Sequence, residues 1–121
     1  MSLFTQAQFD AFAGKQPGVT FVDQWGSRVA KVGGKVFVLL NRWSDGQDRI
    51  VFKVPEETFE ILTAIDGIDQ APYFAKRQWV SVASVADLPQ DDLKTYILRS
   101  YKTVAKSLTK KLRAELGVEI D

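Results

Sequence analysis

The sequence predicts an α+β protein of a single domain, in which an antiparallel β-sheet meander is packed by helices. Between residues 19 and 54, apolar and polar positions alternate in short runs separated by turn residues, as in neighbouring antiparallel strands. The segments before and after this region have apolar residues at helical spacing. A length of 121 residues with 45% hydrophobic residues is enough for one core. We therefore expect one domain over residues 1–121.

The first element is a short amphipathic helix. Thr5 is a suitable N-cap, and Phe9, Phe12 and Ala13 follow helical spacing up to the breaker at Gly14. The meander comes next. Gly33 and Gly34 between two apolar runs indicate a tight hairpin, because both residues adopt positive φ without a Cβ penalty. Residues 44–47 predict a second reversal. The predicted strands are 19–25, 28–32, 35–40 and 49–54.

A second helix is predicted from Pro55 to about Gly67, with acidic residues at its positive N-terminus. The expected inward residues are Phe59, Ile61, Leu62 and Ile65, and the expected outward ones are Glu56, Glu57 and Glu60. Pro72 then predicts a chain reversal at Tyr73 and Phe74, followed by two cations and a strand that starts at Trp79 and ends near Val82.

The last predicted helix begins after the capping segment 87–92 and has a core face and a basic face. If it is unbroken, its apolar residues share one arc; the segment Ser107–Thr109 also permits a kink or a separate short helix. The apolar arc is Leu93, Ile97, Tyr101, Val104, Leu108 and Leu112, and the basic ridge is Arg99, Lys102, Lys106, Lys110 and Arg113.

Charge is unevenly distributed although the formal net charge is only +1. Every charged residue from 94 to 113 is Lys or Arg, whereas residues 56–69 carry only acids. The sequence therefore predicts a molecule with a positive and a negative side.

Several function classes are disfavoured by composition. The chain has no Cys and no His, so it lacks the usual nucleophile and base pairs, and we expect no catalytic residues, no cofactor and no disulfide. Iron binding is disfavoured because the first helix offers only Asp10, and Glu56, Glu57 and Glu60 are explained by the helix dipole. The sequence shows no signal peptide and no apolar run that could span a membrane, so we expect a cytoplasmic protein.

Five segments of the chain have a pattern typical of a known family. They are residues 16–20, the Lys-Val-Gly-Gly-Lys-Val-Phe segment at 31–37, Val51-Phe52-Lys53, the Ala-Pro-Tyr-Phe-Ala-Lys-Arg-Gln-Trp-Val segment at 71–80, and Ser100-Tyr101 with 108–112. Together with the order of elements, these segments resemble the YjbR/MmcQ family, whose fold is similar to that of the frataxin homologue CyaY. The resemblance implies a CyaY-like fold, and because family members are commonly described as DNA-binding proteins it also implies that function.

The sequence-based prediction is a non-enzymatic, monomeric protein that binds DNA weakly through phosphate contacts. Two interpretations remain open beside it. In the first, the cations belong to an ordinary solvated surface and Trp79 is an ordinary core residue. In the second, exposed Trp25, Trp43 and Tyr73 hold a protein or peptide partner. The candidate nucleic-acid-binding residues are Lys31, Lys35, Lys76, Arg77, Trp79, Arg99, Lys102 and Lys106.

Overall fold

The α+β prediction is confirmed by a computed structural model, which describes residues 2–24, 26–42 and 48–119, with only the backbone at residue 42. The predicted reversal at 44–47 and the side chains of Trp25 and Trp43 lie outside these residues. The strands are β1 (Val19–Gln24), β2 (Ser27–Val32), β3 (Lys35–Arg42), β4 (Asp48–Lys53), β5 (Ile68–Gln70) and β6 (Trp79–Ala83); the helices are α1 (Gln6–Ala13), α2 (Glu56–Thr63), α3 (Gln90–Lys106) and α4 (Lys110–Leu116).

All six strands form one antiparallel sheet in the order β1-β2-β3-β4-β6-β5. The first four form the predicted meander, and β6 pairs with β4. The edge strand β5 was not predicted, because three residues are too few to show a periodicity. It exists through its pairing with β6 and its packing against α2.

The predicted hairpin between β2 and β3 is confirmed, with φ of 60° at Gly33 and 80° at Gly34. Its tip rests against the segment that joins α3 to α4. A Cβ atom added at Gly33 would lie 2.7 Å from both terminal methyl groups of Leu108. Gly33 therefore allows the close approach as well as the positive φ.

The main core lies between the helices and one face of the sheet. Helix α3 crosses β2, β3 and β4, while α2 covers β5 and β6. In α2, Phe59 and Leu62 are buried as predicted, but Ile61 is 64% exposed. The prediction for Ile61 was wrong because two residues along a helix turn the side chain by about 200°, away from Phe59.

The opposite face of the sheet has a smaller apolar cluster. Val29, Leu39 and Val51 are adjacent on neighbouring strands, and Ala71 completes the buried set. Phe74 and Trp79 pack against this cluster from the loop of residues 71–78 and the start of β6. The loop therefore acts as a partial cover for the face that has no helix.

The basic C-terminal region is two helices. Ser107 ends α3, and Thr109 has extended backbone angles and accepts a hydrogen bond from the Leu112 N–H at 3.1 Å as the N-cap of α4. The apolar arc of α3 therefore ends at Val104, while Leu108 lies in the segment that joins the two helices and Leu112 belongs to α4. No helix in the described part of the chain is long and apolar enough to cross a membrane.

Candidate functional site

A groove opens where β4 leads into α2, and it runs along α3. One part has a volume of about 270 Å³, and Tyr96, Arg99, Lys102 and Lys106 are among its lining residues. The adjoining part, of about 460 Å³, is lined by residues that include Lys76 and Arg77. Both parts share Lys53, Val54, Pro55 and Thr103, and we call the two parts together the basic groove.

Helix α3 forms one wall of the basic groove. Positions 99, 102 and 106 are three and four residues apart, which places them on one face of the helix. The Arg99 guanidinium lies 5.6 Å from the centre of the Tyr96 ring, and that ring stacks on Phe52 at 6.2 Å. The predicted basic ridge of α3 therefore lies beside the groove, with Tyr96 as part of its packed base.

Ser100 fixes this wall to the sheet. Its buried hydroxyl donates to the Phe37 carbonyl at 2.6 Å and accepts from the Lys53 N–H at 3.0 Å. One side chain of α3 thus joins β3 and β4. Because its neighbour Arg99 lines the groove, these bonds set the position of Arg99 relative to Lys53.

The first part of the basic groove is strongly positive. Lys53, Arg99, Lys102 and Lys106 line it, and no Asp or Glu is among its described lining residues. Within the described ranges, these four cations form no ion pair. Their charges are therefore available to an anionic ligand.

Arg77 also lines the groove, but its charge is already compensated. Its Nε atom lies 2.8 Å from Glu56 Oε1, and its Nη2 atom pairs with Glu60. Hydrogen bonding to Glu56 and then to Glu60 raises the pKa of Arg77. The sequence did not predict this contact, although acids at positions i and i+4 on the outer face of α2 are a signal for a shared cationic partner.

Trp79 does not line the groove. It is half-buried, its ring centre lies 4.5 Å from that of Phe74, and it belongs to the small cluster on the open face of the sheet. Tyr73, in contrast, is fully exposed, with a relative exposure of 102%. An unpaired base would therefore find an accessible ring at Tyr73.

The two hairpin lysines lie on opposite sides of the sheet. Lys35 pairs with Val32 of the main core, and its Nζ atom donates to Ser107 Oγ at 3.1 Å, next to Lys106. Lys31 pairs with Thr20 and Val36, on the face away from the helices. The structure thus brings Lys35 to the C-terminal end of the α3 ridge but separates Lys31 from it.

Three of the four carboxylates considered for iron, Asp10, Glu56 and Glu60, have other partners. Asp10 forms a two-pronged ion pair with Arg28, with distances of 3.0 and 3.1 Å, and Glu56 and Glu60 hold Arg77. Among the described residues, no group of three Asp or Glu side chains forms a candidate metal site.

Lys53 is the groove cation that the sequence analysis did not select as a binding residue. The sequence does place Lys53 at the end of a predicted strand, directly before Val54 and Pro55. This position could have indicated a binding residue, because binding residues are frequent where a strand ends and the chain turns into a helix. Its contact with the α3 wall depends on the bond to Ser100, 47 residues away.

Comparisons with known proteins agree with this fold. A model of the YjbR family matches residues 14–103. The Deinococcus radiodurans protein DR2400, whose crystal structure is of a domain named DUF419, is 25% identical with a TM-score of 0.83 over 95% of this chain and 89% of that one. A Pseudomonas syringae structural genomics target is 21% identical, with a TM-score of 0.71 over 83% of this chain and 98% of that one. No curated protein matches the chain. Since the family model covers well over half of the sequence, the chain belongs to the YjbR family.

Proposed function

We propose that this protein is a non-enzymatic, cytoplasmic binding protein that holds the phosphate backbone of nucleic acid in the basic groove. One observation carries the proposal: Lys53, Arg99, Lys102 and Lys106 line the first part of the groove, and no Asp or Glu is among the described lining residues of that part. The cytoplasm is part of the proposal because a chain without Cys is suited to a reducing compartment.

The binding energy in this proposal is electrostatic. Lysine and arginine side chains that contact phosphates release condensed counterions, and this release favours association at low salt. The net charge of +1 limits the long-range attraction, so we expect weak binding that depends on the local field of the groove. The packed position of Tyr96 under Arg99 leaves the first part of the groove without a free ring for base recognition.

The binding residues of the proposal differ from those predicted from the sequence. Lys53 is added, while Lys35, Lys76, Arg99, Lys102 and Lys106 are kept. Arg77 is a contact only after release from its carboxylates, and Lys31 and Trp79 are left out because they lie on the other face of the sheet. The DNA-binding description of similar proteins supports this proposal, and both that function and the CyaY-like fold remain predictions for this chain.

The proposal is tested by neutralising two groove cations. We expect Lys102→Ala/Lys106→Ala to weaken binding of a labelled oligonucleotide in fluorescence anisotropy. Because each phosphate contact contributes about 0.7 to the salt slope for a single strand, loss of two contacts lowers the slope by about 1.4. Titrations at several salt concentrations measure both quantities.

Lys110→Ala/Lys111→Ala is the matched control. These two exposed lysines of α4 carry the same charge but do not line the groove. If both double variants weaken binding equally, the groove is not the binding site. Absence of binding by the unmodified protein at low salt contradicts the function itself.

A second candidate function is a protein or peptide interaction module. One described residue favours it, since a fully exposed Tyr73 is suited to anchor a partner protein as well as a base. In this candidate function, Arg99, Lys102 and Lys106 do not contact the partner. Neutralising those cations is therefore expected to leave the affinity for the partner unchanged.

A further inference from the structure

Tyr73 stands out among the described residues because its exposure and its backbone conformation are both unusual. Its side chain is fully exposed, and its φ is 70°, in the left-handed region that large side chains seldom adopt. Strained residues of this kind persist only where the surrounding structure holds them, and they are common at binding sites.

The loop of residues 71–78 holds Tyr73 outward by contacts on both sides of it. Ala71 is buried and its N–H donates to the Trp79 carbonyl at 3.1 Å, while Phe74 packs inward on Trp79. Phe74 therefore occupies the apolar cluster, and the ring of its neighbour Tyr73 is left in solvent.

The other end of the loop is tied to α2 and β5. Arg77 has φ of 64°, its N–H donates to Gln70 Oε1 at 2.7 Å, and its guanidinium pairs with Glu56. Lys76 and Arg77 line the basic groove. Tyr73 is thus part of the same loop that forms one wall of the groove, three residues from Lys76, or at most about 10 Å along an extended chain.

We infer that the ligand of the basic groove is single-stranded nucleic acid and that Tyr73 stacks on one of its bases. This inference rests on the proposed function and goes beyond it. A groove that tracks phosphates beside an exposed aromatic ring is the arrangement by which proteins bind single strands, since bases in a duplex have no free face.

The two sides of the groove differ in charge. On the α2 side, Glu56 lines the wall and is paired with Arg77, and its neighbour Glu57 is exposed. On the α3 side, Arg99 and Lys106 are seven residues apart, which is about 10 Å along the helix axis, and no Asp or Glu is among the described lining residues. The unpaired positive charge is therefore concentrated along one side, which favours one phosphate strand over two.

The experiment uses three labelled probes with the same number of phosphates: a 12-residue oligothymidylate, the same strand with abasic sites in place of its bases, and a hairpin duplex. The variants are Tyr73→Ala and Tyr73→Phe. The matched control is Ile61→Ala, an exposed apolar residue on α2 that does not line the groove. Thermal unfolding checks that each variant is folded.

We expect the unmodified protein to bind oligothymidylate more tightly than either other probe. Tyr73→Ala weakens binding of oligothymidylate about 5- to 150-fold, the range expected for loss of one base–aromatic stack. The same substitution leaves the affinity for the abasic strand and for the duplex unchanged. The Tyr73→Phe and Ile61→Ala variants bind oligothymidylate with the original affinity.

The outcomes separate the inference from the proposed function. Equal affinity for normal and abasic strands, tighter binding of the duplex, or no effect of Tyr73→Ala overturns the role of Tyr73, while salt-dependent binding still supports the groove. If no probe binds at low salt, the proposed function fails and the inference fails with it. Equal weakening of all three probes by Tyr73→Ala also overturns base stacking.

Discussion

At the residue scale, Arg77 lies at the groove, but its charge is paired with carboxylates of the protein itself. It lines the groove as a predicted binding residue, but Glu56 and Glu60 compensate its charge. The ion pair connects the loop that carries Tyr73 to the first turn of α2. The first role of Arg77 is therefore to hold this loop against α2. When its ion pairs with Glu56 and Glu60 are removed, the groove gains an unpaired cation.

This dual position leads to a prediction for Glu56→Gln/Glu60→Gln. We expect tighter binding of oligonucleotide and a steeper salt dependence, because Arg77 is freed and two negative charges beside the groove are removed. Anisotropy titrations at several salt concentrations measure both effects.

The control for this prediction is Glu115→Gln/Glu119→Gln, which removes the same charge from exposed positions near the C-terminus. It accounts for the change in overall charge. An equal gain in affinity for both double variants contradicts a specific role for the Arg77 ion pairs.

Residue patterns predicted only part of the site. Local spacing was sufficient to place Arg99, Lys102 and Lys106 on one helix face. It was not sufficient for Trp79, whose ring is covered by Phe74, or for Lys31 and Lys35, which β-pairing sends to opposite faces. Ile61 shows the same limit, since a rotation of about 200° from Phe59 places it in solvent.

At the element scale, the position of α3 on the sheet determines the shape of the groove. Most of this packing is apolar and tolerates small shifts, but the two hydrogen bonds of Ser100 to Phe37 and Lys53 are directional. They fix α3 at the point where β4 ends. The groove therefore depends on a buried hydroxyl that has no charge and makes no contact with solvent.

Replacing Ser100 by Ala tests this attachment. We expect a loss of about 1–3 kcal/mol in the free energy of unfolding, because the Phe37 carbonyl and the Lys53 N–H lose their shared partner. Urea denaturation is expected to show a lower midpoint with an unchanged slope.

Thr103→Ala is a suitable comparison, since its exposed hydroxyl donates to the Arg99 carbonyl of the same helix and makes no other hydrogen bond with the residues that the structure describes. We expect almost no change in its unfolding midpoint. Similar midpoints for the two variants contradict the role assigned to Ser100.

At the scale of the whole molecule, Tyr101 joins α3 to the segment between α1 and β1. Its hydroxyl donates to the Pro17 carbonyl at 2.7 Å, and its ring meets Phe37 edge-on at 5.3 Å. Burial raises the pKa of the Tyr101 phenol above its ordinary value. The folded state thus binds this proton more tightly than the unfolded state does.

This difference predicts how stability depends on alkaline pH. The contribution of Tyr101 is fully present below the ordinary tyrosine pKa of about 10 and is lost as pH rises through the higher pKa of the folded state. The free energy of unfolding of the unmodified protein is therefore expected to fall above about pH 10.

Tyr101→Phe is expected to be less stable at neutral pH by about 0.5–1.5 kcal/mol, because one hydrogen bond is lost. It is also expected to lose less stability between pH 8 and pH 11. Denaturation curves across this range, with exposed Tyr73→Phe as the comparison, measure both effects. Equal alkaline losses in Tyr101→Phe and the unmodified protein contradict the prediction.

The sequence by itself determined the elements that depend on neighbouring residues. The cap at Thr5, the Gly33–Gly34 turn and the period of α3 follow from short-range sterics and hydrogen bonds, and they agree with the structure. Whether Ser107–Thr109 ends the helix stayed open, because the residues are compatible with either outcome until Leu108 is placed in the core.

Only the tertiary structure decided which of these surfaces meet. The groove requires Lys53 beside Ser100, 47 residues apart, and the loop with Tyr73 requires Arg77 beside Glu56, 21 residues apart. Strand β5 likewise forms only through β6 and α2. Contacts between distant residues depend on how whole elements pack, and the periodicity of one segment carries no information about the segment that will lie opposite to it.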